Sequence, residues 1–213
     1  MNQPLAPLLA DTDAVSVKQQ RELSEIVIGF DVANRYQVLD PDGRSRGEVL
    51  EEANGLFGMV LRNVLSTWRP LVLHVQDAVG NEIARFTKSF SIFFHRLDVH
   101  VAGERLGRIR RTWSLLGRKY VVEDLEGRVV ARIRRPLWRL WTYPVYDPHG
   151  NEIARIGKRW GGLLTELFTD ADTYGVHFTE KVGPDLRALL FASMFLIDMT
   201  NTEDNANSGG LLG

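Results

Sequence analysis

Three stretches of this chain combine side chains that bind phosphate with side chains that enter lipid. KSFSIFFHR (Lys88 to Arg96), RRTWSLLGRK (Arg110 to Lys119) and RRPLWRLW (Arg134 to Trp141) each set Arg or Lys beside Phe, Trp or Leu. Near an anionic leaflet each basic side chain contributes about 1 kcal/mol, and burial of Trp or Leu at the headgroup level adds to it. The candidate contacts are therefore Phe90, Phe93, Phe94, Trp113, Leu116, Trp138 and Trp141 as an apolar wedge, with Arg110, Arg111, Arg134 and Arg135 as the cations. Between Arg105 and Arg139 there are eleven basic side chains and three acidic ones, Glu123, Asp124 and Glu126. A structural reading competes with this one. Bulky residues also cap the ends of barrels, and arginines on strands also form the wet face of a half-buried sheet.

Other chemistries find no foothold. His74, His95, His100, His149 and His177 are scattered and form no HExxH motif, and without cysteine there is neither a thiolate metal cage nor a disulfide. No GxSxG elbow, Walker loop or GxGxxG runs from a strand into a helix, so an enzyme is not expected. Nucleic acid is not the expected partner either. The 26 basic and 27 acidic residues leave a formal charge of −1, and no RNP, helix-turn-helix or zinc-finger spacing is present.

The elements that must position the three stretches are legible in a repeated phrase. Short apolar runs flank Asp-x-x-Gly four times, at Asp40 to Gly43, Asp77 to Gly80, Asp124 to Gly127 and Asp147 to Gly150, and a fifth turn lies at Ala102 to Glu104. Asp caps such a turn through its side chain and Gly supplies positive φ, so each phrase predicts a hairpin. Strands running up and down place these turns at one end of a meander. The basic and aromatic connections then fall at the other end, opposite a group of acidic residues that includes Asp40, Asp77, Glu104, Asp124 and Asp147.

After the strands comes a segment with no polar face. From Leu186 to Ile197 only Arg187 and Ser193 are hydrophilic, so the helix must be surrounded. At about 1.5 Å per residue it is too short for a bilayer core of roughly 30 Å, which predicts a plug inside protein spanning Pro184 to Met199. Burial of Leu189, Leu190, Phe191, Met194, Phe195 and Ile197 should dominate stability. A preceding amphipathic helix is expected at RWGGLLTELF, with Trp160, Leu163, Leu164 and Leu167 on one side.

The order GKRWGGLLTELFTDADTYGVHF, a short polar link and ALLFASMFLID resembles the C-terminal third of the phospholipid scramblase family, in a bacterial-type form. The resemblance covers roughly Ile26 to Glu203. It implies a tubby-like closed antiparallel β-barrel, mainly β, wrapped around a buried hydrophobic C-terminal helix and shared with the LURP-one-related proteins. It further implies ATP-independent movement of phospholipid between leaflets, with an anionic phospholipid membrane surface as partner. The runner-up is a phosphoinositide or anionic-lipid binding adaptor without transport. A small-molecule carrier using the barrel mouth is a third reading.

The resemblance also implies a calcium loop at DADTYGVHFTEK, which makes Asp170 and Asp172 weak calcium candidates. An EF-hand asks for oxygen ligands at positions 1, 3, 5 and 12. Here position 5 is Tyr174 and position 12 is Lys181, which predicts low calcium affinity.

Rich in Pro, Ala and Asp, residues 1–22 are expected to be disordered, as is the tail 203–213, leaving a single domain over 23–202. The N-terminus lacks the basic start and long apolar stretch of a secretory signal. A cytoplasmic protein at the inner face of the plasma membrane is the resulting expectation.

Overall fold

Alternating apolar residues make the strands. In a computed structural model, which describes residues 5–20, 26–27, 30–53, 70–91, 94–114, 117–135, 142–157 and 173–208, thirteen strands form one antiparallel sheet. They are β1 (Ala14–Gln20), β2 (Ile26–Val27), β3 (Phe30–Leu39), β4 (Ser45–Glu52), β5 (Leu71–Asp77), β6 (Glu82–Lys88) and β7 (Arg96–Val101), followed by β8 (Glu104–Thr112), β9 (Arg118–Asp124), β10 (Val129–Arg135), β11 (Thr142–Tyr146), β12 (Glu152–Gly157) and β13 (Thr173–Phe178). β3 to β13 pair in sequence order, and β1 pairs with both β13 and β3, which closes a barrel of twelve strands. β2 pairs only with β3 and stands outside the closure.

The five expected turns all form, and the topology puts them at one end, hereafter the turn pole. In each Asp-x-x-Gly turn the Gly N–H donates to the Asp carbonyl, and the Asp carboxylate accepts from a backbone N–H four residues on. These glycines have φ between 77° and 93°, the left-handed region that L side chains avoid. The tight turn between β7 and β8 places Ala102 itself at φ 52°. Connections leaving β6, β8 and β10 emerge at the opposite end, the connector pole.

The plug is present. Helix α2 (Pro184–Ser208) enters at the turn pole and runs toward the connector pole. Ten consecutive residues, Ala188 to Ile197, are buried, and a helix buried on every side is enclosed rather than laid against a surface. Phe195 packs edge-on against Tyr36 and Phe191, at ring separations of 5.6 Å, and lies 6.0 Å from Phe86. Each such buried side chain stabilises the fold by about 1.5–3 kcal/mol. Gly107 makes room for the plug: a Cβ there would lie 2.3 Å from the Glu123 carbonyl oxygen and 3.2 Å from Leu189 Cδ2.

Two expectations about the ends are corrected. Part of the N-terminal segment is ordered, because α1 (Ala6–Leu9) buries Leu8 and Leu9 at the turn pole and β1 fills the gap between β13 and β3. Val15 and Val17 alternate into the core, and without β1 two sheet edges would be left open. At the other end α2 continues to Ser208 instead of stopping near Met199, eight residues past Thr200. The expected helix at RWGGLLTELF lies outside the described residues.

Arg187 explains its place in an otherwise apolar segment. Its guanidinium donates to the carbonyls of Val182, Leu9 and Thr12 and lies 4.1 Å from the centre of the Phe178 ring, tying α1 to the start of α2.

Candidate functional site

The connector pole is built from strand ends whose connections carry the apolar and basic residues. Phe90 and Phe94, between β6 and β7, are 52% and 70% exposed, and Trp113, just after β8, is 78% exposed. Large apolar side chains left this open by one end of a barrel are available to a partner. The turn pole exposes Val79 and Leu125, single side chains on separate turn tips. Phe93, Leu116, Trp138 and Trp141 lie outside the described residues.

Alternation along the strands sorts the four candidate arginines into different places. Arg110 points outward and donates to the Glu123 carboxylate at 2.7 Å, so its charge is already committed. Arg134 also points outward and is exposed, 6.0 Å from the Tyr146 ring centre. Arg111 and Arg135 share the inward face of their strands: Arg111 pairs across from Tyr120, and Arg135 across from Arg118. Exposed Lys119 adds a second outward cation at this pole. Arg128 leaves the basic region altogether, bonding to Asp124 and Glu126 at the turn pole.

The acidic pole is correspondingly muted. Arg44 pairs with Asp42 and Arg85 with Glu82, each at 2.8 Å, and Arg155 pairs with Glu152. Turn hydrogen bonds hold the carboxyls of Asp77 and Asp147 below the usual range, chiefly through Asn81 and Asn151.

Just inside the connector pole lies a polar layer that sequence reasoning missed. Lys88 and His95 are buried, each 2% exposed, and Arg118 is 5% exposed. Burial, then Lys88 and Arg111 nearby, depress the His95 pKa to about 4, so the imidazole is neutral at pH 7. Tyr120 is pushed up to about 12, mainly by burial, and its hydroxyl lies 2.6 Å from Thr200 Oγ1. The Thr200 hydroxyl also lies 2.9 Å from the Leu196 carbonyl and 3.2 Å from that of Ile197, so when it donates to either carbonyl the tyrosine hydroxyl donates to Thr200 Oγ1. Tyr174 is raised well above its ordinary value by burial, then by Tyr143 and Asp198. The signal that could have found this layer is parity. Arg111 follows Ile109 by two residues, and Arg118 precedes Tyr120 and Val122 in the same way.

Asp170 and Asp172 lie outside the described residues. The segment that follows them is strand: Thr173–Phe178 pairs with β1 and β12, and Tyr174, position 5 of the supposed calcium loop, faces the core. A looped twelve-residue cage is incompatible with that geometry. Among the described residues no group of three or more metal-ligating side chains converges.

A family model for scramblases matches residues 1–204. The chain belongs to the scramblase family. Among curated relatives, Phospholipid scramblase 2 of Homo sapiens is 24% identical over 204 residues, covering 89% of this chain and 67% of that protein. Phospholipid scramblase 1 of Mus musculus is 24% identical over 93% of this chain and 64% of that protein. A Saccharomyces cerevisiae relative, Altered inheritance rate of mitochondria protein 25, is 24% identical over all of this chain and 77% of its own length. No solved structure matches. The chain's family-level role is thus scramblase-like, and no described helix of this scramblase-family protein is long and apolar enough to cross a membrane.

Proposed function

We propose that this scramblase-family protein docks through its connector pole on anionic phospholipid surfaces and, once docked, lets phospholipid exchange between leaflets without ATP or a covalent step. The observation that carries the reading is the emergence of Phe90, Phe94 and Trp113 at one pole, beside the outward cations Lys119 and Arg134. Aromatic side chains of this kind insert at headgroup depth, and cations hold the surface. The plug is enclosed in protein, so exchange would proceed by perturbing the bilayer from outside rather than through a spanning helix. The anionic inner leaflet of the plasma membrane is the surface proposed.

Flotation with vesicles of phosphatidylcholine, with and without phosphatidylserine, tests docking. Wild type should float with the anionic vesicles and lose that association as salt rises, whereas a Phe90→Ser, Phe94→Ser, Trp113→Ser variant should stay in the soluble fraction. Equal flotation of the two proteins would remove the wedge. Dithionite quenching of a labelled lipid in the same vesicles separates exchange from the second reading, an anionic-lipid adaptor. That reading is favoured by the closed, plugged barrel and predicts docking without accelerated loss of inner-leaflet fluorescence.

A further inference from the structure

The outer wall of the barrel carries its charge unevenly. On β7 to β10 the outward strand positions hold Arg96, Arg105, Arg108, Arg110 and Arg132 in addition to Lys119 and Arg134, and the carboxylates on those positions are Asp98 and Glu123. Arg110 takes Glu123. Asp98 serves three guanidiniums at once, lying 3.3 Å from Arg108, 3.4 Å from Arg105 and 3.6 Å from Arg96. One carboxylate neutralises one cation, so positive charge is left over around it. The Nε atoms of Arg105 and Arg108 are buried and make no hydrogen bond among the described residues.

Register sharpens the imbalance. Arg96 lies directly across from Arg110, and Lys119 directly across from Arg134. Like charges in directly opposed cross-strand positions are destabilising. A face that only meets water mixes its signs, as on β3 and β4, where outward Arg35 lies 3.7 Å from Glu48. The β7 to β10 wall concentrates one sign, which suits a partner carrying many negative groups.

Continuity with the aromatic rim identifies that partner. Phe94 lies just before β7 and Trp113 directly follows β8, so both exposed rings sit at the connector-pole end of the wall's own strands. In an upright barrel standing on that rim, Arg108 and Arg105 would be about 16 and 26 Å from Trp113 along β8, at about 3.3 Å per residue. Strand tilt of roughly 40° shortens those heights by about a quarter, which still exceeds a Debye length of about 8–10 Å. Upright, neither arginine would feel the leaflet. Leaning the barrel toward β7 to β10 brings rim and wall down together.

We infer that the β7 to β10 wall is a second membrane-facing surface, on which Arg96, Arg105, Arg108 and Arg132 meet the phosphates of an anionic leaflet and hold the docked barrel tilted. Guanidinium groups suit this role, because their N–H donors pair with phosphate oxygens. Arg105 and Arg108 remain partly exposed while their Nε donors lack acceptors. The inference rests on the docking proposed above and gives it an orientation. The two are separable, because the wedge is aromatic and lies at the rim, whereas these arginines stand on the wall.

The test uses the full chain and vesicles of phosphatidylcholine with phosphatidylserine. Changing Arg105→Gln and Arg108→Gln together leaves Arg96 to pair with Asp98, so this variant should melt at or above the wild-type temperature. It should bind the vesicles about tenfold more weakly at low salt. Arg35→Gln with Arg44→Gln removes the same charge elsewhere and should float like wild type. Because the chain has no cysteine, His100→Cys and Gln37→Cys each create one labelling site. His100 lies on the wall, across from Arg105, and Gln37 lies on β3, six strands from β9 round the barrel. A fluorophore at His100→Cys should be quenched by a nitroxide on the lipid headgroup, and one at Gln37→Cys should not. Equal flotation of wild type and the Arg105, Arg108 variant, or equal quenching at the two labels, overturns the wall and leaves docking standing. Binding of a DNA duplex that this variant loses while it keeps flotation reassigns the wall to nucleic acid. A wild type that does not float overturns both, whereas flotation kept by the serine triplet and lost by the arginine pair removes the wedge and keeps the wall.

Discussion

At the scale of single residues, burial decides which groups matter. Phe195 meets three aromatic rings at the centre of the barrel. Phe195→Ala should cost about 3–5 kcal/mol by leaving a cavity, read as a lowered denaturant midpoint. His95 makes stability depend on pH. Above about pH 6.5 neither the folded nor the unfolded chain carries charge there, so its full contribution is present. As pH falls toward about 4 the unfolded chain takes up a proton that the folded one refuses, and stability declines. His177, depressed mainly by burial, acts in the same sense. The melting temperature should therefore fall between about pH 6.5 and pH 4, less steeply in His95→Leu; identical slopes would remove His95 from the account.

At the scale of elements, the turns were legible in the sequence because their chemistry is local. Asp, Gly and two intervening residues contain all the hydrogen bonds the turn needs, so reading Asp77 to Gly80 required no knowledge of the rest of the chain. The enclosed helix was legible from the missing polar face between Leu186 and Ile197. β1 was not, because one of its pairing partners, β13, lies far away in sequence and composition alone suggested disorder. Nor does helix periodicity stop at Met199, where the apolar run ends, since backbone hydrogen bonding carries α2 on through polar residues. The ordered N-terminal segment yields a prediction. Removing residues 1–12 should expose the core around Leu186 and lower the melting temperature by several degrees, because Leu8, Leu9 and the Arg187 ties are lost together. Gly107→Ala belongs at this scale too: with the Glu123 backbone oxygen 2.3 Å from the new Cβ, β8 must shift from β9, at a cost of about 1–3 kcal/mol measurable by urea unfolding.

At the scale of the whole molecule, the division into two poles was readable from strand direction, but the roles of individual arginines were not. Which way Arg110 and Arg111 point depends on strand register, and a shift of one residue would exchange them. Counting basic residues along the chain consequently overstated the surface charge, since Arg110 and Arg128 are paired and Arg111 and Arg135 turn inward. Vesicle association should accordingly be moderate and sensitive to ionic strength, with the aromatic triplet contributing more than the cations. Replacing Lys119 and Arg134 with Gln should weaken flotation less than the serine triplet does; the reverse order would make electrostatics the main term.

Barrel closure joins Ala14 to His177, near the two extremes of the ordered chain. No partial product of synthesis can make that seam, so assembly waits on an encounter between segments that emerge first and last, and loop-closure entropy makes such an encounter slow. Until then β1 and β13 offer open edges, and at high concentration the β1 of a neighbouring molecule can pair with β13 instead. Refolding at rising protein concentration is thus a route to strand-exchanged dimers.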